Sequence, residues 1–467
     1  MSSASRILPL VVASALFMEN MDSTVIATSL PAIARDLNTD PVALKLAFTT
    51  YLLSLTIFLP ISSWISDRFG ARRVFRIAIA VFTLASLACA AAPSLGYLVA
   101  ARAVQGLGGA MMVPVGRIIL LRSIPRSELV SALAWLTIPA LVGPLLGPPI
   151  GGFITTYFSW HWIFWMNLPF GIIGIVMATI FMKETREEGV PPLDVVGFLL
   201  SGLGLAAFVF GITLAGRSLV QLRDVVGLIA LGGILMALYV RHAARVPYPI
   251  LDLKLLKVET LRISVGAGTF YRLSAGAIPF LLPLMLQIGF DLTPFQSGMI
   301  TCASALGAVM MKFAASRLLK RFGYRQLLLV NGVISCALMA VNGLFTRETS
   351  MVLMFVILAT GGLSRSLQFT SLNSIAYADI ATKDIARANG IYTVMQQLSL
   401  ALGVAAAAMA LDLAQMLRGH ATDLVPSDFS FAFFAVAVAG LLAIPQFYSL
   451  PANAGESMSG HKAGQEA

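Results

Sequence analysis

The stretch Ser63-Trp64-Ile65-Ser66-Asp67-Arg68-Phe69-Gly70-Ala71-Arg72-Arg73 contains a five-residue string, Arg68 to Arg72, whose pattern returns as Arg321-Phe322-Gly323-Tyr324-Arg325. Each copy is a basic turn between two long apolar runs, so the chain reads as two similar halves in parallel orientation. Apolar runs able to cross about 30 Å of hydrocarbon number fourteen on this reading. The copies fall between spans two and three and between spans ten and eleven. Two abutting six-helix halves would offset them by six helices, but the offset is eight. Two further helices therefore lie between the halves, and spans seven and eight are the natural insertion.

Composition agrees with that scheme. With 58% hydrophobic and 12% charged residues, the chain cannot cover a soluble globule with polar surface. The expected fold class is an all-α polytopic membrane protein of two six-helix bundles plus two inserted helices. The expected divisions are 1–188 for the first bundle, 189–258 for the inserted helices and linkers, 259–450 for the second bundle and 451–467 for a disordered tail. The first linker is marked by Glu187, Glu188, Gly189, Pro191 and Pro192, and the last segment is rich in Gly, Ser and charge.

Basic residues set the orientation, because cytoplasmic loops keep an excess of Lys and Arg. Of the 32, 22 fall on the side of the N-terminus, 6 on the other and 4 (Arg102, Arg272, Lys312, Arg365) inside spans. Both termini are expected in the cytoplasm of a cell whose inner (plasma) membrane the chain crosses many times. The net charge of +10 then faces anionic lipid, and nucleic acid is not an expected partner. The first span is expected to stay uncleaved, since Glu19 and Asp22 interrupt it. Cys89, Cys302 and Cys336 lie within spans as packing residues. The four histidines lack ligand spacing, so no metal, cofactor or enzymatic role is expected.

Glu19 and Asp22 are the residues hydrocarbon tolerates least, and carboxylates inside a membrane are read first as proton or ion sites. Three residues apart, they share one helix face, and two close acids repel when both are charged. Asn20 is placed to bond either one. At 1.5 Å per residue, Arg102 lies roughly 9 Å and Asp22 roughly 13 Å below the outer boundary, so the two can meet. A permanently paired salt bridge is the competing reading. Around Gly70, Asp67 sits at a helix end beside Arg68, Arg72 and Arg73, a cluster able to latch two helices and release them; a basic loop that only sets orientation is the alternative. In span five, Gly143, Gly147 and Gly151 recur every four residues, with Gly152 beside them. Together they form a smooth face, while Pro144, Pro148 and Pro149 remove backbone donors. Such a helix suits a hinge or seal, against a static kink.

With Asp22 to Pro31, Arg102 to Ala110 and Trp160 to Pro169, these motifs resemble the ordered signatures of the major facilitator superfamily, in its fourteen-helix drug:proton antiporter branch. The resemblance spans nearly the whole chain. It implies alternating access by two bundles, with proton entry driving export of small amphipathic compounds and hence antibiotic resistance. By that resemblance Asp22 is the motif acid, Arg102 its partner, Asp67 with its basic neighbours the cytoplasmic gate, and Gly143 to Gly152 the antiporter motif. Ser63 replaces a usual glycine, Ala71 a basic residue and His161 an arginine. Lys320 stands where the second copy would carry Asp, so gating is expected to rest on the first half.

The leading expectation is a proton-coupled exporter, monomeric in the bilayer, in which protonation of Asp22, helped by Glu19, biases the access states. Asn20, Gln105, Arg272, Gln368 and Gln396 are candidates to line the substrate cavity, and for Gln368 and Gln396 bonding between helices is the equal alternative. Rings of Phe48, Tyr51, Trp135, Trp165, Phe270 and Phe280 could contact substrate or simply pack. Arg272 has no acid on its own helix on this reading, so a partner across the cavity or an anionic substrate group is expected, against snorkelling to the inner surface. That residue keeps open a second reading, a transporter of one anionic metabolite. A non-transporting receptor or scaffold is the reading from another class, and a growth-inhibition panel under intact and collapsed proton gradients would separate it.

Overall fold

Hydrocarbon offers no water to satisfy backbone polar groups, so spanning segments must close their hydrogen bonds internally. The computed structural model meets this with helices alone among the described residues, which are 3–124, 126–187, 189–215, 221–419 and 423–461. Trp135, Glu188 and the tail from residue 462 lie outside the described residues or side chains.

In chain order the helices are α1 (Ser3–Asp36), α2 (Lys45–Phe58), α3 (Ser62–Phe69), α4 (Ala71–Ala90), α5 (Leu95–Ser123), α6 (Arg126–Tyr157), α7 (Trp162–Trp165) and α8 (Asn167–Phe181). Then come α9 (Val195–Leu214), α10 (Leu222–Ala243), α11 (Glu259–Leu284), α12 (Pro294–Asn342), α13 (Met351–Ile375), α14 (Ile385–Leu417), α15 (Pro426–Leu441), α16 (Ile444–Tyr448) and α17 (Glu456–Ser459). Twelve segments among the described residues are long and apolar enough to cross a bilayer. Fourteen is reached only by counting α12 as two helices, broken where Gly323 takes φ 69° and ψ 169°, and by adding the 32-residue α6.

Two compact units result: Met1–Gly202 with Thr293–Met299, and Leu203–Leu292 with Ile300–Ala467. The first boundary falls inside α9, so the two inserted helices form no unit of their own. In the first unit α1 packs along α6, and α5 lies between α2 and α4. Close approach depends on absent side chains: a Cβ on Gly108 would stand 2.7 Å from the Phe82 backbone nitrogen. In the second unit α11 and α14 press together in the same way, a Cβ on Gly276 falling 2.7 Å from the Leu400 carbonyl.

The repeated turn is built alike in both units. Gly70 takes φ 95° and Gly323 φ 69°, a region that favours glycine. The chain following α8 folds over the first, with Ala71 N donating to Thr185 O at 3.0 Å and the Glu184 carboxylate where a Gly70 side chain would be. The chain following α16 folds over the second. There the helical turn α17 precedes His461, whose Nδ1 lies 3.1 Å from the Lys320 carbonyl, and a Cβ on Gly323 would meet the His461 ring. His461 and Gly455, which fall in the segment from 451 that composition assigns to a disordered tail, lie against the second turn at Gly323 and Tyr324.

Candidate functional site

α1 carries both intramembrane acids, but only one joins a bonded network. Asp22 is 3% exposed, and its Oδ2 accepts from Arg102 Nη1 at 2.5 Å. Its Oδ1 accepts from Gln105 Nε2 at 2.8 Å and from Asn167 Nδ2 at 2.9 Å. Arg102 Nη1 also donates to Gln105 Oε1 at 2.7 Å, and Asn167 Nδ2 to Ser86 Oγ at 2.9 Å. The Arg102 guanidinium lies over the Tyr51 ring, 4.2 Å from its centroid. α5 supplies Arg102 and Gln105 three residues apart on one face, α8 supplies Asn167 at its first residue, and α4 supplies Ser86. Hydrogen bonds to ionised groups are short and strong, and both oxygens of Asp22 are taken.

Glu19 sits one turn before Asp22, half-buried and outside that network. A Cβ on Gly109 would stand 3.2 Å from the Tyr51 hydroxyl and 3.8 Å from Glu19 Cγ, so acid and phenol border one spot on α5. The Tyr51 hydroxyl is buried without a hydrogen-bond partner. Asn20 bonds neither acid; its amide donates to Leu16 O at 2.8 Å on its own helix. Gln105, expected at a cavity, is fully buried inside the Asp22 network.

Gly143, Gly147 and Gly151 present their shared face to α1, beside the acids. A Cβ on Gly143 would lie 3.0 Å from Asn20 Cβ, on Gly147 it would overlap the Thr24 hydroxyl, and on Gly151 it would lie 2.7 Å from the Val25 carbonyl. α6 stays a continuous helix through Pro144, Pro148 and Pro149. The far end of the motif meets the start of α12, where a Cβ on Gly152 would overlap the Pro294 carbonyl and one on Gly298 the Pro148 carbonyl.

At the Gly70 turn, Asp67 bonds none of its basic neighbours. Its Oδ1 accepts from Arg122 Nη2 at 2.9 Å, and Arg122 also pairs with Glu187 at 3.1 Å. Arg72 turns away, Nη2 donating to Thr179 O at 2.5 Å and its backbone N to the Glu184 carboxylate at 3.2 Å. Arg68 is exposed; Arg73 lines a cavity of about 540 Å³ with Arg72, Arg76 and Glu184.

In the second unit Gln368 holds helices together, donating to Leu328 O at 3.0 Å and accepting from Asn331 at 2.8 Å. Gln396 is half-buried. Arg272 is fully buried and donates to the Tyr392 hydroxyl at 2.5 Å, with the Tyr392 ring centroid 4.6 Å from its Cζ.

Arg122, Glu184, Glu187 and Ser86 were not singled out as site residues by the sequence, and Asn167 only as part of a run. Arg122 carried a signal, a cation ending the same helix that bears Arg102, yet orientation alone accounts for a basic residue there. Asn167, a polar amide heading an apolar span, carried another.

The sequence matches the model of the Major Facilitator Superfamily over residues 12–241 and 265–463. "Probable transport protein HsrA" of Haemophilus influenzae is 34% identical over 432 residues, 92% of this chain and 93% of that protein. "Putative multidrug resistance protein MdtD" of Escherichia coli (strain 536) is 33% identical over 441 residues, 94% of this chain and 92% of that protein. In fold the chain is similar to a D-xylose-proton symporter (TM-score 0.68, 14% identity, 97% of this chain and 99% of that one). It is similar too to a bacterial homolog of the human lysosomal transporter Spinster (TM-score 0.67, 13% identity, 96% of this chain and 97% of that one). Paired helical units, an acid clamped inside the first of them and a twice-used basic turn fit one lineage of membrane carriers rather than any enzyme: the chain is a transporter of the major facilitator superfamily.

Proposed function

We propose that this transporter exports small amphipathic compounds in exchange for protons, and that Glu19 carries the exchanged proton while Asp22 holds the first unit together. The supporting observation is the unequal bonding of the two acids. Asp22 has its charge balanced by Arg102 and both oxygens occupied. Glu19 has a negative neighbour one turn away and stands half-buried beside the unpartnered Tyr51 hydroxyl. An acid held this way exchanges a proton without dismantling the packing around it. The name borne by the Escherichia coli relative supports drugs as cargo, and the small-residue face of α6 against α1 links the acid-bearing helix to its neighbour.

On this reading both termini are cytoplasmic, and the Asp67–Arg122–Glu187 cluster latches the inner ends of α3 and α5 in one access state. The test is substrate efflux from proteoliposomes with and without an imposed proton gradient. Glu19→Gln is expected to abolish the gradient's effect with little change in thermal stability. Full gradient dependence in Glu19→Gln would remove Glu19 from the mechanism.

A further inference from the structure

The membrane interior of the second unit is cationic and contains almost no acid. α12 and α13 have no Asp or Glu; α11 has only Glu259, at its start, and α14 only Asp412. The same helices carry Arg272, Lys312 and Arg365 well inside their length. Each bonds a neutral hydroxyl: Arg272 that of Tyr392, Lys312 that of Thr370 at 3.3 Å, and Arg365 that of Ser304.

Arg272 is the extreme case. It lies about 20 Å along α11 from Glu259, too far to snorkel, and its side chain is fully buried. Nε and Nη1 have no hydrogen-bond partner, although a guanidinium offers five donors. Asp412 is about 30 Å from Tyr392 along α14, and Asp428 and Glu259 pair with Arg418 and Arg262. The surroundings are phenols: Tyr392 under the guanidinium, and Tyr377 with its ring 5.8 Å from that of Tyr392. Tyr377 OH donates to Asn389 on the exposed first turn of α14, so the phenols run from the guanidinium toward that exposed turn.

The first unit shows what completes such an arrangement. Arg102 also lies over a tyrosine, and its Nε too lacks a partner, but its Nη1 donates to a carboxylate and an amide. Around Arg272 the tyrosine is present, and no carboxylate among the described residues pairs with the guanidinium. A buried, unpaired guanidinium is costly, and a planar fork with free donors matches a carboxylate.

We propose that Arg272 is a binding site for an organic carboxylate, the anionic group of an amphipathic cargo whose apolar part is taken up alongside it. This deepens the exporter reading and rests on the chain being a small-molecule carrier. It does not depend on proton coupling.

The experiment is thermal unfolding of the purified full-length protein in detergent, without any gradient. The probes are 1-naphthoate and 1-naphthamide, which share a ring system and differ in charge. Naphthoate is expected to raise the melting temperature more than naphthamide, at a half-saturating concentration lower by about tenfold or more. Arg272→Gln should erase that difference. Tyr392→Phe, which keeps the cation and removes its one hydroxyl partner, should enlarge it, so the idea remains testable if Arg272→Gln folds poorly. Equal shifts from acid and amide in the wild type, an acid preference surviving in Arg272→Gln, or an equal shift from sulfate at matched ionic strength would each overturn the assignment. Loss of gradient-driven efflux in Glu19 variants would leave the naphthoate preference intact, so the two readings fail separately.

Discussion

Replacing Asp22 by Asn removes one negative charge from a site where donors converge from two helices. Arg102 and Asp22 side chains are each 1% exposed, so the guanidinium left behind has no water to turn to. The introduced amide can still accept from Gln105 and Asn167 through its oxygen, but its nitrogen then faces Arg102, donor against donor. Breaking a buried pair by removing one partner costs about 3–5 kcal/mol, a large share of the roughly 5–15 kcal/mol that holds a typical domain folded. Arg102→Gln alone strands Asp22, although Gln105 and Asn167 still serve it, so its cost lies toward the lower end. In the double variant Asp22→Asn/Arg102→Gln both charges are gone, and two amides of suitable length can bond each other. The double variant should therefore be more stable than the sum of the single losses implies, by about 2–3 kcal/mol. Thermal or denaturant unfolding of the four proteins in one detergent measures this coupling. Additivity within about 0.5 kcal/mol would mean that Asp22 and Arg102 do not support each other, and the account of a clamped acid would fall.

Gly147→Ala places a methyl group inside the Thr24 hydroxyl and 2.9 Å from Thr24 Cβ, and is expected to destabilise the α1–α6 contact by about 1–3 kcal/mol. Adding Thr24→Ala should recover most of that loss in the same melting assay. Arg122→Gln is expected to cost less than about 1 kcal/mol, because Arg122 and Asp67 side chains are 29% and 27% exposed. Its consequence should appear in efflux rate, so unchanged transport would remove the Asp67 cluster from the gate.

The repeat Arg68 to Arg72 and Arg321 to Arg325 made the two-unit architecture legible, since a turn needing positive φ between apolar runs leaves little freedom in what surrounds it. The pairing of Asp22 with Arg102 was legible as well, because helical rise fixes depth. Partners across helices were harder to read. Asp67 has three arginines close in sequence, yet α3 ends so that its carboxylate faces Arg122 at the end of α5, and sequence adjacency carries no information about that direction. Sequence alone placed Gln105 at a cavity and could not divide Gln368 between cavity and packing. An amide is equally at home in either place, and only the donors and acceptors that tertiary packing brings near it decide.

The two buried arginines over tyrosines differ in one respect that bears on division of labour. Arg102 is neutralised within the chain by Asp22, and on the proposed reading a proton on Glu19 is the charge that changes in the first unit. Arg272 is not neutralised by any carboxylate among the described residues, so the second unit gains most from a ligand that brings the missing charge. A ligand shifts a conformational equilibrium only by its differential affinity for the two states. An anion that satisfies Arg272 in one state and not in the other has that differential built in, while a neutral analogue of the same shape lacks it. Coupling in this chain is therefore expected to weaken with the loss of cargo charge even where cargo binding persists.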